Sequence, residues 1–174
     1  MKPRHALRSD AALIWSAALR AVDAEIAVRR VVRRQGRSLR VGQQRFDLPQ
    51  TRRVWVVGAG KAAAPMGRAL EKILGPRLSG GILVTKDGHG LPLQKIELLE
   101  ASHPLPDARG VVAGGRIAAL ARDQVRSKDL VFCVLSGGGS ALLPAPAPGI
   151  TLEDKLQCTR LLLNAGATIQ EMNA

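Results

Sequence analysis

The chain has 174 residues, room for one domain with a substantial core. Aromatic residues make up only 2%, with no tyrosine, so the core must be aliphatic and the stacking platforms of single-strand nucleic-acid binders are excluded. The net charge of +12 favours anionic partners; its one local cluster, Arg29, Arg30, Arg33 and Arg34, reads as a solvated helix face, and no fold motif for nucleic acid accompanies it.

In chain order, residues from about Ser9 to Arg34 read as helical, with Leu13, Ile14, Ala17, Ala18 and Ala21 at helix spacing. Asp23 can cap a second helix carrying Ile26, Val28, Val31 and Val32, which Gly36 stops. Leu39 to Phe46 reads as a hairpin turning at Gly42. Val54-Trp55-Val56-Val57 is an unbroken apolar run, the pattern of a strand buried on both faces. Gly58-Ala59-Gly60-Lys61 follows, then a helix from Lys61 to Leu74. Further strands are expected at Gly81–Thr85, Ile96–Glu100 and Leu130–Leu135. Asp107 should cap a helix running to about Val125, and Thr151 one from Leu152 to Asn164, with another starting at Thr168. Strands alternating with helices predict an α/β fold: a doubly wound, mainly parallel, Rossmann-like sheet with helices on both faces. Ligands in such folds sit beyond the C-terminal ends of the strands. All the unusual loops fall there: Gly58–Lys61, Lys86–Gly90, Ser102–Asp107 and Ser136–Ser140.

Cys133 and Cys158 are far apart and read as small buried hydrophobes of a reducing compartment. His5, His89 and His103 have no metal-ligand spacing, so no metal site is expected. No signal peptide or membrane span is recognisable, which makes the cytoplasm the expected location and a membrane no partner.

Strand, glycine turn and helix outline a phosphate cradle at Gly58 and Gly60, where amide N–H groups and the helix dipole face one point. The Gly58-x-Gly60-x-x-Ala63 spacing also meets a relaxed dinucleotide fingerprint, with Asp87 a loose match for its acidic residue. A tight turn for close helix packing is the structural alternative. Lys61 favours anion binding, because a cation at the positive end of a helix is otherwise unfavourable. The turn is no P-loop: no glycine stands at the required distance before Gly60-Lys61, and Ala62 replaces the hydroxyl. Ser136-Gly137-Gly138-Gly139-Ser140 is a second glycine turn after a buried strand, able to aim successive N–H groups at phosphate oxygens. No Gly-x-Ser-x-Gly elbow supports a serine nucleophile. His103, beside Pro104, can serve as a base, as a ligand-orienting group or as a structural hydrogen-bonder.

Together Val57-Gly58-Ala59-Gly60-Lys61-Ala62, Ser102-His103-Pro104-Leu105-Pro106-Asp107 and Ser136-Gly137-Gly138-Gly139-Ser140-Ala141-Leu142 resemble the class II glycerate 2-kinase family. That family carries a MOFRL domain and is sometimes labelled hydroxypyruvate reductase. The resemblance covers essentially the whole chain, including the tail Gly166 to Ala174. It implies ATP-dependent phosphorylation of D-glycerate at the 2-hydroxyl, with Mg2+. Lys61 and His103 would be catalytic, and Gly58, Gly60, Ser136, Gly137, Gly138, Gly139 and Ser140 would bind the nucleotide phosphates. Family members are more than twice as long, so residues 1–174 would be an incomplete, truncated N-terminal domain lacking the MOFRL domain. Its partners would be the missing C-terminal half or further copies of itself. An uncovered sheet, poor solubility and little activity alone are then expected. An NAD(P)-dependent hydroxypyruvate reductase and a non-catalytic anion- or nucleotide-binding module are the alternative readings.

Overall fold

The computed structural model describes residues 4–172. Helices α1 (Arg4–Ala21) and α2 (Ala24–Val31) lead in, followed by β1 (Val32–Gln35), β2 (Ser38–Val41) and β3 (Gln44–Asp47). Then come β4 (Val54–Ala59), α3 (Ala63–Leu74), β5 (Leu78–Lys86) and β6 (Ile96–Ala101). The chain continues through α4 (Ala108–Asp123), β7 (Leu130–Leu135), α5 (Gly139–Leu142), α6 (Leu152–Asn164) and α7 (Ile169–Met172). The end of the tail, Asn173 and Ala174, lies outside the described residues.

The main sheet has the order β6-β5-β4-β7, and every pairing is parallel. Alternate residues of β4 face opposite sides. Val54 and Val56 pack with Leu70 and Leu74 of α3, while Trp55 packs with Leu120 of α4. Helices therefore cover both faces, as the sequence pattern predicts. The chain builds the sheet outward from β4 to β6, then crosses back to lay β7 on the other side of β4. The strand order reverses between β4 and β7, and in open α/β sheets that is where a crevice opens beyond the strand ends.

The lead-in differs from expectation in one element. Helix α2 ends at Val31, and Val32–Gln35 is a strand paired antiparallel with β2. Gly36 makes the turn between those strands instead of stopping a helix. Its φ of +57° is a conformation open to glycine. Glu25 ties α2 to α3. It accepts from Arg29 at 3.2 Å, Arg68 at 2.9 Å and Lys72 at 2.9 Å.

The cysteines also depart from expectation. Both Cys133 and Cys158 are exposed. Cys133 lies on β7, an edge strand whose Val131 and Leu135 are 40% and 65% exposed. This edge of the sheet is uncovered. Leu13 and Ile14 of α1 are likewise 65% and 71% exposed. No helix among the described residues is long and apolar enough to cross a membrane.

Candidate functional site

The two glycine turns meet in the crevice between β4 and β7. Gly58 pairs with Val134 in register, and a Cβ on Gly58 would lie 1.9 Å from the Val134 carbonyl oxygen. A Cβ on Gly60 would lie 2.0 Å from Ser136 Oγ, and its φ is +138°. Glycine here is a condition of the two turns touching.

Hydrogen bonds then lock them. Lys61 N–H donates to the Gly137 carbonyl at 3.0 Å, Ala62 N–H to Ser136 Oγ at 3.0 Å, and Ser136 N–H to the Ala59 carbonyl at 3.1 Å. Beneath them Gly60 N–H donates to the Val84 carbonyl at 3.0 Å. Thr85, fully buried, donates its hydroxyl to the Gly60 carbonyl at 3.1 Å. Ala63 N–H returns to the Gly60 carbonyl at 3.0 Å.

The first turn departs from expectation. The N–H groups of residues 60–63 are all engaged within the protein, so the first turn offers no free amide cradle. The second turn does. Among the described residues no acceptor meets the N–H of Gly137, Gly138, Ser140 or Ala141. Gly138 is left-handed at φ +91° and caps α5. A left-handed residue leading into helical ones turns successive N–H groups into one concavity, a nest for an anion. Fully buried Leu142 anchors α5 against Ala59, Val84, Ala101 and Ala113.

Lys61 and His103 flank this nest. A Cβ on Gly137 would stand 3.7 Å from Lys61 Cε, and one on Gly138 would stand 2.8 Å from His103 Nε2. The peptide bond between His103 and Pro104 is cis. The His103 imidazole is held below the ordinary histidine pKa, first by burial and then by the positive charges of Lys61 and Lys86. His103 is therefore neutral at neutral pH, beside an exposed ammonium.

The acidic residues nearby are committed elsewhere. Arg109 donates Nη1 and Nη2 to the two carboxylate oxygens of Asp87, both at 2.7 Å. Its Nε donates to Asp107 at 2.7 Å. Arg109 holds the Asp87 carboxyl below its ordinary value. Burial alone would raise Asp107, but Arg109 and the Gly110 N–H outweigh it and hold that carboxyl low as well. Asp107 caps α4, as its position predicts, by accepting from Gly110 N–H at 3.1 Å. The clamp joins the loop after β5 to the start of α4. Sequence reasoning missed Thr85, Arg109 and the capping role of Ser136. The only local signal was an arginine two residues after a helix cap.

Every expected site residue thus lies at one end of the sheet, with Gly58 and Gly60 as packing elements and Lys61, His103 and residues 136–141 around the open nest. Unengaged amides and a lysine therefore stand at the reversal point of an open parallel α/β sheet, where folds of this class take their ligands. The chain belongs to the family described as "Domain of unknown function (DUF4147)", whose model matches residues 10–174. It is 40% identical over 156 residues to a glycerate 2-kinase of Pyrococcus horikoshii, covering 90% of this chain and 34% of that protein. It is 39% identical to a glycerate kinase of Danio rerio, covering 96% and 36%. A putative hydroxypyruvate reductase of Agrobacterium vitis is 48% identical over 68% of the chain and 31% of its own length. Among solved structures, a protein from Pyrococcus horikoshii OT3 superposes with a TM-score of 0.82 at 37% identity, covering 96% of this chain and 37% of that one. A glycerate kinase from Thermotoga maritima superposes at 0.77 and 34% identity, covering 97% and 37%. The chain spans about a third of the length of these relatives.

Proposed function

We propose that the chain is the nucleotide- and substrate-handling part of a glycerate 2-kinase, which transfers the γ-phosphoryl group of ATP to the 2-hydroxyl of D-glycerate. The observation that carries this reading is the set of four unengaged N–H groups at Gly137, Gly138, Ser140 and Ala141, with Lys61 beside them. In phosphoryl transfer the protein acts by positioning and charge neutralisation. The nest would hold phosphate oxygens, with the hydroxyls of Ser136 and Ser140 on the same turn. Lys61 would neutralise an anionic oxygen of glycerate or of the transferring group. The bond between the γ-phosphorus and its bridging oxygen breaks as the 2-oxygen of glycerate bonds to that phosphorus. The hydroxyl proton passes to neutral His103. The burial and neighbouring cations that keep His103 unprotonated support its role as acceptor.

Gly58 and Gly60 serve this site by letting the two turns touch. Magnesium would arrive on the nucleotide phosphates. Among the described residues no group of three or more His, Cys, Asp or Glu side chains could hold a metal. Asp87 and Asp107 are bound to Arg109. Among the described residues, the acidic side chains near the nest thus do not make a magnesium site of their own. A dinucleotide at the first turn has less support, since its amides are engaged and Asp87 is not available to a ribose. With a third of the relatives' length, the chain is expected to need additional polypeptide for turnover, and the cytoplasm is its proposed location.

A coupled ADP-release assay with ATP, Mg2+ and D-glycerate tests this. We expect little turnover by the chain alone. Turnover should appear on adding a polypeptide corresponding to the other two thirds of the relatives, and Lys61→Ala should abolish it. Tight NADH binding without ATP binding would overturn the kinase reading in favour of a reductase.

A further inference from the structure

The three-stranded sheet has an outward face that the proposed catalysis does not use. Leu39 of β2 is fully buried against the core, so its neighbour Arg40 points to the opposite, outer side. Arg40 pairs in register with Arg33 on β1 and with Arg45 on β3. Three guanidinium groups therefore stand in one cross-strand row, all exposed. Like charges directly opposite one another destabilise a sheet, and among the described residues none of the three is paired with a carboxylate. Asp47 stands on the same face one row further along, opposite Ser38, without pairing to them. Arg34, by contrast, is used structurally and donates to the Leu74 carbonyl at 2.6 Å.

The row lines a groove of about 310 Å3, completed by Gln35 and Ser38. Arg45 Nε donates to Ser38 Oγ at 2.8 Å, which orients that guanidinium and leaves the serine proton free to donate outward. We propose that this groove is a second anion site, taking a small molecule with consecutive phosphoryl groups. Guanidinium forks match phosphoryl oxygens in pairs. Three strands spread the forks over roughly 10 Å, more than one oxyanion covers. No aromatic side chain lines the groove, so it lacks the stacking surface a nucleic-acid strand uses. The relief of repulsion within the row is the source of affinity, and it makes binding steeply salt-dependent.

Equilibrium dialysis against labelled tripolyphosphate at low ionic strength tests the site. The triple variant Arg33→Gln, Arg40→Gln, Arg45→Gln should bind roughly ten-fold or more weakly. The nest also takes phosphoryl groups, so amide NMR assigns the binding: the triple variant should lose the tripolyphosphate shifts at residues 33–45 and keep those at residues 137–141. Far-UV circular dichroism checks that the triple variant folds; if it does not, Arg40→Gln alone should give a smaller loss in the same direction. Competition by ATP separates a nucleotide from an inorganic polyphosphate as the natural source, and either fits. Tripolyphosphate shifts confined to residues 137–141 in the parent, or unchanged at residues 33–45 in a folded triple variant, would overturn the proposal. So would a mixed-sequence DNA duplex that outcompetes tripolyphosphate through the same arginines, which would assign the face to nucleic acid.

Discussion

Ser136 accepts the backbone N–H of Ala62 at 3.0 Å, so the loop after β7 caps the helix that follows β4. No side chain of α3's own N-terminus does this. Removing the oxygen leaves the Ala62 N–H without its partner. Ser136→Ala should therefore cost about 1–2 kcal/mol, read from urea unfolding. Gly60→Ala is harsher. Its Cβ would press on Ser136 at 2.0 Å in a backbone conformation that disfavours side chains, so a loss of about 3 kcal/mol or more is expected. Equal stability of Gly60→Ala and the parent would contradict the contact between the turns.

Acid should loosen the joint between α2 and α3. The hydrogen bond from Lys72 and those from Arg29 and Arg68 outweigh partial burial and hold Glu25 down to about 2. A carboxyl depressed in the folded state contributes stability that is complete above its ordinary value near 4.5 and disappears as pH falls toward 2. Unfolding free energies measured between pH 6 and pH 2 should show this fall, flattened in Glu25→Gln. At neutral pH that variant should lose about 1 kcal/mol, since its cationic partners are partly exposed.

His103 is a reporter of charge at the nest. Burial and the cations Lys61 and Lys86 hold its pKa below the ordinary 6.5. A histidine depressed in the folded state takes its proton first in the unfolded chain, so its contribution to stability is lost as pH falls below 6.5. Lys61→Ala should raise the His103 pKa, and a phosphate bound in the nest should raise it further. An imidazole NMR titration measures both shifts. A His103 pKa indifferent to Lys61 would separate the two side chains that the site brings together.

Both thiols should titrate in the native chain with a bulky disulfide reagent, because Cys133 and Cys158 are exposed. Protection of Cys133 would mean that β7 is covered in solution.

Much of the fold was legible in the sequence. The apolar run Leu130–Leu135 is the strand β7, and Thr151 with Asp154 forms a reciprocal capping box at the start of α6. Locally strong patterns of this kind fix element type and ends together. β1 was hidden because Val28, Val31 and Val32 keep helix spacing into a polar Arg-Arg-Gln stretch. Only its pairing with β2 draws that stretch into a strand. The exposure of Cys133 was hidden because an apolar run reads as a central strand, while edge position depends on what packs beside it. The site residues were recognisable as two glycine turns and a histidine. Which turn keeps its amides open was not, since that depends on bonds from Lys61 and Ala62 to residues of a turn far along the chain.

The central claim is that phosphate oxygens are held by the second glycine turn and not the first. Amide NMR of the 15N-labelled chain titrated with ATP tests this most directly. The account predicts the largest shifts at Gly137, Gly138, Ser140 and Ala141, with Gly60, Lys61, Ala62 and Ala63 little changed, and weakening of the response in Lys61→Ala. Shifts centred on residues 60–63, or none at residues 137–141, would contradict it.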